Sequence, residues 1–130
     1  MKLFREYLII FFIGNLSYTL IEILWRGYTH WTMAIMGGAC FLTFYIFNDK
    51  VKNLHIVKRS LGGCGIFTIL EFIVGCLVNR ILQWNVWDYS NLAGNILGQI
   101  CIFYSLMWFL LCLPVTILCR LIKNNIFAKP

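Results

Sequence analysis

Hydrophobic residues of this 130-residue chain fall into four long runs, roughly residues 3–25, 31–47, 61–78 and 96–119, with polar residues gathered between them. Each run approaches or exceeds the ~20 residues a helix needs to cross the ~30 Å hydrocarbon core of a bilayer. In lipid the backbone must satisfy its own hydrogen bonds, so apolar runs of this length predict helices. The pattern therefore predicts an all-α integral membrane protein, a four-transmembrane-helix bundle forming a single membrane domain over residues 1–130. The first run opens like a signal peptide but leaves through Leu24, Trp25 and Arg26 without a small-residue cleavage site, which marks it as a retained helix. RGYTH, residues 26–30, suits a tight turn, and Pro114 predicts a kink in the last run. The connection from Asn79 to Gly94 is different. It sets Trp84, Trp87 and Tyr89 among Asp88, Ser90 and three asparagines, the composition of an interfacial or re-entrant segment between helices 3 and 4.

Composition agrees. Hydrophobic side chains make up 61% and charged ones 12% of the chain, against ~25% charged in soluble domains. That excludes an ordinary soluble domain, and the length leaves no room for a second one such as a nucleotide-binding domain. The net charge of +6 is a matter of topology. Lys2, Arg5, Lys50, Lys52, Lys58, Arg59, Arg120, Lys123 and Lys129 fall on one side of four spans, and Arg26 and Arg80 on the other. Positive charge marks the cytoplasmic side, so the chain reads as a multi-pass protein of the plasma membrane with both termini cytoplasmic. The same bias removes the reason to invoke nucleic acid. The basic stretch between Asn48 and Ser60 also suits anionic lipid headgroups. All six cysteines lie inside spans without C-x-x-C spacing, and His30 and His55 are isolated, so no metal or other cofactor is expected.

Polar residues inside the spans carry the functional question, because charge in hydrocarbon costs several kcal/mol. Glu6 and Asp49 sit at cytoplasmic helix ends, whereas Glu22 and Glu71 lie within spans toward the outer ends. Helical spacing from Glu22 reaches Asn15, Tyr18, Thr19 and Arg26, and from Glu71 it reaches Cys64, Thr68, Gly75 and Asn79. Helix 4 is expected to add Asn91, Asn95, Gly98 and Gln99. Lipid rejects such faces, so they are expected to converge on a polar cleft open to the outside, lined by Glu22, Glu71, Asn95 and Gln99 with Arg26 and Arg80 at its mouth. A structural account stands beside this one: Glu22 and Arg26 can neutralise each other at i,i+4, and the amides can be interhelical glue. Gly37, Gly38, Gly62, Gly63 and Gly65 suit close helix approach.

MGGACF (residues 36–41), EFIVG (71–75) followed by Asn79, VWDYS (86–90) and NILGQIC (95–101) together resemble the type IV ABC-transporter permease family, the CmpB-like proteins. The resemblance runs from about Gly14 to Phe127, and W-D-Y-S followed by N-x-x-G-Q is its specific part. The family pattern commonly has a proline where this chain has Leu92, Ala93 and Gly94. The resemblance implies a small four-helix membrane protein and places a site at Glu71, Trp87, Asp88, Tyr89, Ser90, Asn95 and Gln99.

Three functions follow from these readings. The first is a transporter or permease component binding a small polar or cationic solute, with Glu71 or Glu22 as counter-charge or proton site. Four helices rarely support alternating access alone, so a homo-oligomer or other membrane subunits are implied, with any ATP hydrolysed by a separate ATPase partner. The second is a membrane enzyme or binding protein for a lipid or polyprenyl headgroup, although no catalytic spacing supports an enzyme. The third is a structural or regulatory subunit. Small proton-coupled multidrug exporters share the size and a glutamate in helix 1, but their dual insertion conflicts with the charge bias.

Overall fold

The structure, a computed structural model, describes residues 1–127; Lys129, counted above among the cytoplasmic charges, lies outside them. Four helices make up most of the chain: α1 (Lys2–Arg26), α2 (Trp31–Lys50), α3 (Ile56–Gly75) and α4 (Ile102–Asn125). A π-helical turn over Cys76–Ile81 extends α3. Among the described residues there is no strand, and an isolated antiparallel bridge pairs Ile96 with Ile100. All four helices are long and apolar enough to cross a membrane, α3 being counted with its π turn. The architecture is therefore the all-helical, four-span one that the hydrophobic pattern predicts.

Contacts gather into two compact units, one formed by residues 1–52 with the chain from Ile117 onward, the other by Asn53–Thr116. In the first unit, Glu6, Ile10 and Gly14 recur at four-residue spacing and form the buried seam of α1. Leu16, Leu20 and Leu24 point away from it and are exposed, as a lipid-facing stripe should be. The partner seam on α2 contains Met33, Gly37, Cys40, Phe41, Phe44 and Asn48. Glycine sets the spacing between the two. A Cβ on Gly14 would run into Phe41 and lie 2.9 Å from the Gly37 carbonyl, and one on Gly38 would lie 2.8 Å from the Phe11 carbonyl. Small residues at these points let two backbones approach where lipid supplies no hydrophobic drive for association.

Capping explains the helix ends. Gly27 closes α1 in the left-handed region at φ 82°, donating its N–H to the Ile23 carbonyl at 2.8 Å. The histidines are caps as well: Nδ1 of His30 accepts from the Thr32 N–H, and Nδ1 of His55 from the Val57 N–H at 3.2 Å. The His55 cap starts α3 at Ile56, five residues before the expected span. Lys58 and Arg59 consequently belong to a helix rather than to a loop, and Arg59 is buried, not spread toward headgroups.

The fourth span also differs. Hydropathy places its start at Ile96, but α4 begins at Ile102. Leu97 and Gly98 both take left-handed conformations, at φ 54° and 73°, which a right-handed helix cannot include. Asn91, Asn95, Gly98 and Gln99 therefore do not share a helix face; they belong to an irregular segment folded on itself. Within α4, Pro114 has no N–H to give the carbonyl of Leu110.

Candidate functional site

In the second unit, α3 presents one polar stripe, and each member meets a defined partner. The Cys64 thiol donates to the Ser105 carbonyl at 3.1 Å, and the Thr68 hydroxyl to the Ser105 hydroxyl at 3.4 Å. Glu71, 1% exposed, accepts the Trp108 indole N–H through Oε2 at 3.3 Å, with Phe67 edge-on to the same indole. Gly75 leaves a gap one turn further on, where a Cβ would lie 2.7 Å from the Gln99 amide oxygen and 2.8 Å from the Trp87 ring.

The π turn then carries Asn79 to the centre of the irregular segment. Leu82 donates to the Leu77 carbonyl at 3.0 Å and Trp84 to that of Val78 at 2.8 Å, so the helix widens before it ends. Such turns are frequent at functional sites. Asn79 donates from Nδ2 to Gln99 Oε1 at 2.8 Å and accepts the Val86 N–H at 2.7 Å. Gln99 in turn donates to the Leu97 carbonyl at 2.8 Å, and its own carbonyl accepts the buried Trp87 indole N–H at 3.0 Å. Asn95 donates to the carbonyls of Leu92 and Ser90 and accepts from Gly98 N–H at 3.1 Å. Tyr89 donates its N–H to the Gly98 carbonyl and stacks its ring on Tyr104 at 4.7 Å. Three amide side chains thus fasten residues 79–99 by bonding the chain's own backbone and each other.

An open pocket of about 460 Å³ lies on this framework. Its lining takes in Asn79, Arg80, Asn85, Trp87, Asp88, Ser90, Asn95, Leu97, Gly98 and Gln99. Two of these are charged. Arg80 gives one donor to the Leu97 carbonyl at 3.4 Å. Asp88 accepts the Ser90 N–H through Oδ1 at 2.9 Å, and this bond, joined by one from the Ser90 hydroxyl, holds its carboxyl below the usual carboxylate range. Asp88 is therefore ionised throughout the neutral range.

The cleft expected from helical spacing combines Glu22 and Glu71 with Asn95 and Gln99; neither glutamate is among the residues lining this pocket. Glu22 belongs to the first unit, where it accepts the Tyr18 hydroxyl at 2.9 Å and lies 2.6 Å from Nε of Arg26, whose guanidinium also covers the Tyr28 ring. Glu71 is buried, with its Oε2 on the α4 residue Trp108. Two further residues lie outside the expected cleft. Asn85, at φ 51°, joins the lining without a helical register to announce it. Glu6, expected at a helix end, is buried: its carboxylate accepts from the Tyr45 hydroxyl and pairs with Lys123 Nζ at 2.9 Å. A signal for it does exist, because counting back by fours from Glu22 through Tyr18, Gly14 and Ile10 arrives at Glu6. Among the described residues no cluster of His, Cys, Asp and Glu is arranged to hold a metal ion.

Four spanning helices and a polar site on the connection between the last two define a small polytopic membrane protein. Within that class, the chain belongs to the family described as "Putative ABC-transporter type IV", which matches residues 3–129. No curated protein and no solved structure matches it.

Proposed function

We propose that the protein is a membrane subunit of an ABC-type transport system and that the pocket over residues 79–99 holds the polar part of its cargo. The observation that carries this reading is the division of labour in the pocket: the amides of Asn79, Asn95 and Gln99 are spent on structure, while the charged Arg80 and Asp88 keep hydrogen-bonding capacity facing the hollow. Polar groups held by a fixed framework on the connection between two spans are what a cargo site requires. The family to which the chain belongs supports the transport context. In this reading ATP hydrolysis falls to a separate ATPase partner, and further membrane subunits or copies complete the translocation path. Both termini face the cytoplasm, which puts the pocket on the outer side. Glu71, with its Oε2 on the Trp108 indole, ties together the two helices that flank the pocket's segment.

The test is uptake of a panel of labelled polar solutes and amphiphiles by cells expressing the wild-type chain or single variants. Arg80→Gln and Asp88→Asn should each reduce accumulation of the cargo by about fivefold, the effect of losing one exposed charge contact. If neither variant changes accumulation of any compound that the wild-type chain takes up, the pocket is not the cargo site.

A further inference from the structure

We infer that the pocket takes the headgroup of a zwitterionic phospholipid, with the phosphate on Arg80, the ammonium on Asp88 and the acyl chains along the apolar rim. This rests on the reading of the pocket as a binding site and names its ligand class.

Hydrogen-bond accounting carries the first part. A guanidinium has five N–H donors, and Arg80 commits one, at the long distance of 3.4 Å. A carboxylate offers roughly four acceptor positions, and among the described residues Asp88 engages Ser90. Both side chains are exposed to the hollow, so each retains most of its capacity. Three of the four lining amides have little left, because Asn79, Asn95 and Gln99 each use their donor and acceptor ends within the segment; Asn85 is neutral and adds no charge to the hollow. One cation and one anion on the same open pocket favour a ligand with both charges. A simple anion would satisfy Arg80 and meet repulsion from Asp88, and a simple cation the reverse.

The surroundings identify the source of that headgroup. Leu97 is exposed in the pocket lining; Ile81, 72% exposed, directly follows the lining residue Arg80, and Leu82, Trp84 and Ile96 are exposed on the same segment. A soluble zwitterion has no use for an apolar rim, whereas an amphiphile places its chains there. Trp84, next in sequence to the lining residue Asn85 and exposed, suits a headgroup-level anchor. A bilayer also delivers its lipids at high local concentration and already oriented, so a site of modest intrinsic affinity is filled.

Native mass spectrometry on the full chain released from nanodiscs containing equal phosphatidylethanolamine and phosphatidylglycerol tests the assignment. The wild-type chain should retain phosphatidylethanolamine over phosphatidylglycerol by about fivefold, the scale of an exposed ion pair. Asp88→Asn should abolish the preference, lowering phosphatidylethanolamine retention without lowering that of phosphatidylglycerol, and Arg80→Gln should lower retention of both. Circular dichroism melts in the same nanodiscs establish that the variants are folded. Equal retention of the two lipids by the wild-type chain, or a preference that survives Asp88→Asn, overturns the inference. Soluble glycerophosphoethanolamine should fail to displace the lipid at equal concentration; effective displacement means that the rim contributes nothing and overturns the lipid source. Should the two variants reduce uptake of a cargo while no lipid preference exists, the lipid assignment fails and the transport reading stands. A lipid preference lost in Asp88→Asn, with uptake unchanged in both variants, upholds the lipid assignment and removes the pocket from the transport path.

Discussion

Two carboxylates with opposite surroundings make the residue-scale case. Asp88 is exposed and bonded to Ser90 N–H, which lowers its pKa relative to the unfolded chain. A group shifted in this direction contributes stability above its unfolded value of about 3.9 and loses it as pH falls through the lower folded value. The turn at residues 88–90 should therefore stay intact through the neutral and mildly acidic range and open only below the ordinary carboxylate range. The Ser90 amide resonance followed by NMR against pH reports this directly; a midpoint at or above the ordinary aspartate value would contradict the bond. Glu71 presents the reverse situation, buried with its Oε2 on the Trp108 indole. Glu71→Gln preserves an acceptor and should cost at most about 1 kcal/mol, whereas Glu71→Ala both opens a cavity and leaves the indole N–H without this partner, for about 2–4 kcal/mol. Thermal unfolding in detergent measures both. Equal losses would mean that the indole bond is not what Glu71 supplies, and a Glu71→Gln chain that folds normally but loses uptake would assign it a chemical role.

At the scale of elements, period alone determines much of the helix architecture and very little of the segment between α3 and α4. The stripe of Cys64, Thr68, Glu71, Gly75 and Asn79 is legible because a helix repeats its neighbours every three to four residues, and each member does face α4 or the irregular segment. Ile96 to Cys101 is not legible. Its Ile, Leu and Cys are as apolar as the helix that follows, and nothing in hydropathy distinguishes an α4 start at Ile102 from one at Ile96; the difference lies in the φ angles of Leu97 and Gly98 and in the Asn95 bond to Gly98 N–H. Glycine content is similarly ambiguous until neighbours are known. Gly14 and Gly38 have no room for a methyl group, but a Cβ on Gly65 would meet nothing within 4 Å. Gly14→Ala and Gly38→Ala should each destabilise by about 1–3 kcal/mol through overpacking. Gly65→Ala should instead stabilise α3 by up to about 1 kcal/mol, the helix-propensity difference. Denaturation of the three variants in one detergent compares them, and a Gly14→Ala chain as stable as Gly65→Ala would refute the close approach of α1 and α2.

The whole molecule is constrained by a contact that no local pattern announces. Glu6 near the start of α1, Tyr45 near the end of α2 and Lys123 near the end of α4 meet in one network, although they are separated by 39 and 117 residues. Sequence spacing can mark Glu6 as part of a helical stripe but cannot supply partners at such distances. With four spans, the start of the first and the ends of the second and fourth must share a membrane face, and the ion pair joining them agrees with that parity. Charge then proposes an orientation for the face: nine basic residues accompany it and two oppose it, which favours the cytoplasm. A cysteine introduced at Lys52 should resist a membrane-impermeant maleimide in intact cells and react after permeabilisation, while one at Gln83, exposed on the segment between α3 and α4, should react before it. Of the native thiols, Cys40, Cys101, Cys112 and Cys119 are buried and add little background. Labelling at Lys52 in intact cells would reverse the orientation and move the pocket to the cytoplasmic leaflet. The fold, the network of Glu6 and the chemistry of Arg80 and Asp88 would all survive that reversal, but cargo would then be met from inside, and the same pocket would serve export rather than capture.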